Sequence, residues 1–247
     1  MSAALVLTLT LGAAVFQETF IEANQHYLDG DYAAAITRYE QLRAERVIAP
    51  ELYFNLGNAY ARAQQPGAAI LNYERALRLQ PGYAEAAQNI SRLLRETERS
   101  LPRPGPPAWE RGLFFWRGVV APGTAKWVSI FLWLAFWGVL AVCLWRPFPY
   151  ARALAALLLL GVVLSAGAAW VHVRDPGLAV TVAERAPARY ADREDASVRF
   201  ELYEGDRVLV EQTRGDWRRV RTDDGERGWV PASAVSKVGP LSPPPPA

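Results

Sequence analysis

Glu51-Leu-Tyr-Phe-Asn-Leu-Gly-Asn-Ala-Tyr60, then Gly67-Ala-Ala-Ile-Leu-Asn-Tyr-Glu-Arg-Ala-Leu77 and a closing Pro81, decide the fold of the first part of this chain. Apolar residues recur at helical spacing in both runs, which predicts two amphipathic helices joined by a short turn. Gly57 and Ala69 are small, as a close helix crossing requires. Pro66 suits a first helical turn, where its missing N–H costs nothing. Pro81 cannot continue the second helix. The pattern recurs with a period of 34: Ala35, Ile36, Tyr39 and Glu40 return as Ala69, Ile70, Tyr73 and Glu74, and Asn24 returns as Asn58. A partial third copy brings Glu51, Asn55 and Leu56 back as Glu85, Asn89 and Ile90.

A fixed 34-residue period in helical sequence resembles the tetratricopeptide repeat (TPR) family. The resemblance implies an all-α solenoid over residues 17–98, two units plus a capping helix at about 83–98, with a groove that holds another polypeptide. Asp29-Gly30-Asp31-Tyr32 reads as an inter-helix turn. Asn24, Asn55, Asn58, Asn89 and Arg92 fall on the first helices of successive units, at positions that line the groove in this family, and are the candidate partner-binding residues. A second reading stays open, in which these Asn bond neighbouring helices to each other. Asn24 and Asn55 match the Asn of a carboxylate clamp. The clamp's basic residues are absent, since Phe20 and Glu85 stand where Lys is expected and Asn89 where Arg is expected. His26 has no second ligand nearby in sequence, so no metal site is expected.

Residues 127–145 and 153–171 contain no charged side chain. Nineteen residues rise about 29 Å, close to a ~30 Å hydrocarbon core, so a two-helix transmembrane hairpin (127–145 and 153–173) is expected around a short loop, 146–152. Trp127, Trp145 and Trp170 stand where interfacial aromatics belong. Residues 99–126 read as a Pro- and Trp-rich linker: a stiff spacer, then an interfacial segment from Trp109 to Val120. The apolar run 3–16, with small residues Gly12 and Ala14, predicts a signal peptide over 1–14. Both flanking domains would then lie outside the cytoplasm at a bacterial inner membrane.

Short alternating runs over 178–238, among them Val208-Leu-Val210, Trp217/Val220 and Trp229-Val230, are separated by the turn signals Gly205-Asp206, Gly215-Asp216 and Asp223-Asp-Gly225. They predict a small all-β barrel. The string from Leu202 to Val235 is similar to a bacterial SH3 domain. Trp217 and Pro231 match positions that line the proline groove in eukaryotic relatives, and Ala234 falls where those relatives keep Tyr. Trp217, Trp229 and Pro231 are the candidate barrel surface; the two Trp are equally compatible with a core role. Pro243–Pro246 lie in an extended tail, 239–247.

Residues 17–98 hold 8 basic and 11 acidic side chains, and residues 174–238 hold 12 and 13, whereas 99–173 hold 7 and 1. Neither flanking domain has the basic bias of a nucleic-acid binder. Phosphate-loop, zinc-protease and nucleophile-elbow motifs are absent, so neither enzymatic activity nor a cofactor is expected. The order of segments resembles the BatE family of the Bacteroides aerotolerance operons. That resemblance implies a scaffold in an inner-membrane complex tied to envelope stress, with von Willebrand factor A-domain membrane proteins as partners. The expected function is a membrane-anchored adaptor. The alternative is a cell-wall sensor or auxiliary whose SH3 domain binds peptidoglycan and whose TPR recruits a wall enzyme.

Overall fold

In the computed structural model, residues 17–97, 99, 101–105, 122–145, 149–173 and 177–239 are described. The expected signal peptide, the interfacial segment Trp109–Val120 and the tail beyond Gly239 lie outside them. The chain divides into two units: Met1–Pro104 together with Pro176–Ala247, and Gly105–Asp175.

The first unit begins with five helices: α1 (17–28), α2 (Tyr32–Ala44), α3 (Pro50–Arg62), α4 (Pro66–Leu79) and α5 (Ala84–Glu96). Gly30 takes φ +81° in the first turn, a conformation that costs glycine little. The Asp31 carboxylate then accepts from Ala34 N–H at 3.0 Å and caps α2. Pro50 and Pro66 open α3 and α4. The repeat pattern becomes two layers of core. Ala23, Ala35, Tyr39, Leu42, Leu52, Leu56 and Ala59 fill the first. The second is built on Tyr53, Ala69, Ile70, Tyr73, Ala76, Ile90 and Leu93. Gly57 is small because Tyr73 demands it: a Cβ there would stand 2.7 Å from the Tyr73 ring.

Seven strands complete this unit: β1 (Leu178–Thr181), β2 (Arg185–Arg189), β3 (Val198–Tyr203), β4 (Arg207–Arg214), β5 (Trp217–Arg221), β6 (Arg227–Pro231) and β7 (Val235–Lys237). All pair antiparallel, in the order β3-β2-β6-β5-β4-β1-β7. The alternation seen in sequence places Val208, Val220 and Val230 inside with Ala186, Leu202 and Val235. Leu101, from the segment after α5, enters the same core.

The barrel is docked on α4. Leu178, Val180 and Val238 belong to the same apolar cluster as Ile70, Leu71 and Leu93. No side chain of α4's own N-terminus caps it. The Gly67 N–H instead donates to Glu204 Oε1 at 2.9 Å, so a barrel carboxylate caps a TPR helix. A Cβ at Gly67 would come within 2.6 Å of both Glu204 Cγ and the Thr181 carbonyl oxygen. Further along α4, Glu74 is 1% exposed and lies 3.3 Å from Arg207 Nη1 and 3.6 Å from Arg103 Nη1. Arg207 Nη2 donates to Leu101 O at 3.3 Å, and Arg75 Nη2 donates to Lys237 O at 3.3 Å. Burial lowers the pKa of the Arg75 guanidinium. Beside this network Asp206 is fully buried, and burial raises its carboxyl pKa against the opposing Tyr203 N–H.

The second unit contains α6 (Pro122–Trp145) and α7 (Ala151–Val173), which pack against each other. The expected transmembrane hairpin is corrected here: among the described residues, no helix is long and apolar enough to cross a membrane. Absence of charge alone does not make a membrane span, which also needs sustained apolar length. Within the pair, Gly161 admits Leu132: a Cβ there would meet Leu132 Cδ1 at 3.1 Å. Ser165 Oγ folds back onto the Gly161 carbonyl oxygen at 2.7 Å.

Because Gly67 has no room for a methyl group, Gly67→Ala should force the barrel off α4. The intact chain should then melt in two transitions where the parent shows one, and limited proteolysis should open the segment around 99–104. Glu204→Ala removes only the cap and should lower Tm by the equivalent of ~1 kcal/mol. A single unshifted transition in Gly67→Ala would show that the docking does not need this close approach.

Candidate functional site

Asn24, Asn55, Asn58 and Asn89 are all half-buried on α1, α3 and α5. The structure assembles them with two tyrosines into the same triad, built twice. In the first, Asn24 Oδ1 accepts from Tyr39 Oη at 2.6 Å and from Asn55 Nδ2 at 3.0 Å. In the second, Asn58 Oδ1 accepts from Tyr73 Oη at 2.7 Å and from Asn89 Nδ2 at 3.1 Å. Each triad ties three helices together: α1, α2 and α3, then α3, α4 and α5. The bonding between neighbouring helices that the sequence left open is therefore present. The Nδ2 groups of Asn24 and Asn58 stand outside these bonds, on half-buried side chains. Arg92, on α5, is exposed and outside the ladder.

Both tyrosines are buried within a few per cent of completely. Burial pushes each phenol up to about 12, against a weaker lowering by the Asn55 or Asn89 side chain. His26 stands 3.9 Å from Glu22, which pairs with Arg38 at 2.9 Å. No group of three or more His, Cys, Asp or Glu could hold a metal ion among the described residues.

On the barrel, cross-strand register brings Trp217, Trp229 and Pro231 to one outer face. Trp217 pairs with Pro231, and Trp229 pairs with Arg219 on β5 and Arg189 on β2. Trp229 is nevertheless only 9% exposed, and the Arg214 guanidinium lies over its ring at 5.1 Å. Trp217 and Pro231 are half-buried. The same face carries arginines that sequence reasoning did not single out. Arg219, Arg221 and Arg227 approach the Glu211 carboxylate through Nε at 3.8, 3.1 and 3.0 Å. The signal was in the sequence, since Arg219 and Arg221 flank the core residue Val220 and alternation turns both outward.

The family profile of the tetratricopeptide repeat matches residues 50–83, and that of the bacterial SH3 domain matches residues 182–237. No curated protein matches the chain. The chain thus carries a TPR unit and a bacterial SH3 domain.

Tyr39 and Tyr73 ionise near 10 when unfolded and near 12 when folded, so the folded state holds these protons more tightly. Stability should be unaffected by them below pH 10 and should fall as pH rises from about 10 to about 12. Tyr39→Phe and Tyr73→Phe should each cost ~0.5–1.5 kcal/mol at neutral pH and flatten this alkaline decline. Thermal melts at pH 7 to 11 measure both effects.

Proposed function

We propose that this protein is a non-catalytic adaptor in which the TPR groove holds a segment of a partner protein and the SH3 barrel offers a second contact. One observation carries the reading. The barrel packs on α4, while the ladder's asparagines and Arg92 lie on α1, α3 and α5, which supports both surfaces being available on one folded unit. The resemblance noted in the sequence makes von Willebrand factor A-domain proteins the first partners to test. The apolar run 3–16 supports placing both domains outside the cytoplasm, where alkaline phosphatase fused after Val238 should be active. A second reading is favoured by the bacterial SH3 match at 182–237, with the barrel holding peptidoglycan.

In vivo crosslinking followed by mass spectrometry identifies the groove's occupant. Arg92 is exposed and outside the ladder, so Arg92→Ala should weaken capture several-fold at unchanged Tm. Asn55→Ala with Asn58→Ala breaks both triads and should lower stability and capture together. Full capture by a folded Arg92→Ala chain would remove this end of the groove from the site. Retention of the chain on purified sacculi supports the wall reading; the adaptor reading expects none.

A further inference from the structure

Three guanidinium groups share one carboxylate on the outer face of the barrel. Arg219 and Arg221 come from β5, Arg227 from β6, and Glu211 from β4. Three positive charges against one negative leave a local excess of two among these four side chains, in a domain whose residues 174–238 hold 12 basic and 13 acidic in total. The excess is thus a feature of this face and not of the domain. All three arginines reach Glu211 through Nε, and their Nη groups hold no hydrogen bond among the described residues. Arg227 and Arg219 are 50% and 41% exposed, so those donors are open to solvent. A planar guanidinium with both Nη groups unengaged suits a carboxylate, which it binds with two parallel hydrogen bonds. Trp217 and Pro231 add an apolar strip on the same face.

From this arrangement we propose that Trp217, Arg219, Arg221, Arg227 and Pro231 form a docking face for an acidic peptide segment of a protein partner. The partner's Asp or Glu carboxylates engage the free Nη groups, and its apolar residues lie along Trp217 and Pro231. The face extends the adaptor reading in one respect only: it supplies the chemistry of the barrel's own contact and does not involve the groove.

Glu211 competes for the same arginines, which gives the face a distinctive signature. The intact chain is titrated with a fluorescein-labelled peptide of alternating Glu and Pro and followed by anisotropy. A Lys–Pro peptide, a single-stranded oligonucleotide of equal charge and soluble peptidoglycan fragments run in parallel. Binding should be confined to the acidic peptide and weaken with salt. Arg219→Gln, Arg221→Gln and Arg227→Gln together should reduce it at least tenfold, whereas Glu211→Gln should strengthen it several-fold. A gain of binding on removing a side chain is not what loss of structure produces, so this variant keeps the test decisive if the triple variant misfolds. An unchanged or weaker affinity in Glu211→Gln, or tighter binding of the oligonucleotide or the wall fragments, would overturn the proposal. If the acidic peptide fails while the groove still captures its partner, the docking face falls and the adaptor reading stands.

Discussion

The contact between Glu204 and the first turn of α4 is the constraint on which the first unit depends. A helix that starts with Pro66-Gly67 has no capping side chain of its own, and its exposed N–H groups need an acceptor. The barrel supplies one at 2.9 Å, and the absent Gly67 side chain is what lets it approach. Glu74 and Arg207 follow from that approach. Neither would be buried if the two folds were merely strung on a linker. A buried ion pair adds little net stability over apolar packing, but breaking one is costly, so the network acts mainly to fix a single docking register. Two folds that are usually separate modules therefore share one apolar core.

The Asn–Tyr ladder plays the corresponding part within the helices. Its members recur with the repeat, and each triad bridges three helices through one amide oxygen. The buried Tyr hydroxyls need acceptors, and the Asn supply them. The residues that stack the helices are thus the same ones that the repeat offers as candidate groove residues. A substitution there acts on both at once, which is why Arg92, outside the ladder, is the more informative position.

The helical pairs were legible because their apolar period is local and repeats, and the barrel because its strands alternate and end at Gly- and Asp-containing turns. The junction was not. Gly67 and Glu204 lie 137 residues apart, and each looks like an ordinary surface residue when read alone. Tyr39 and Tyr73 read as repeat markers, yet their hydroxyls organise the candidate groove residues. The two central helices show the opposite error, in which uncharged sequence predicted a span that the described helices do not provide. Trp217 and Pro231 pair across β5 and β6, while the arginines beside them were hidden in a domain of balanced charge.

The route of the chain through the first unit has a consequence for its synthesis. The helices are complete by Glu96, but the cluster they share with Leu178, Val180 and Val238 is not closed until the barrel is made. The whole of Gly105–Asp175 must be translated in between. At roughly 5–20 residues per second the nascent helices wait several seconds with Ile70 and Leu71 uncovered and Glu74 without Arg207. During that interval the emerging protein presents an unfinished apolar flank, which is a surface for chaperones or for a neighbouring nascent chain. Folding of this unit is therefore timed by the length of the segment inserted into it.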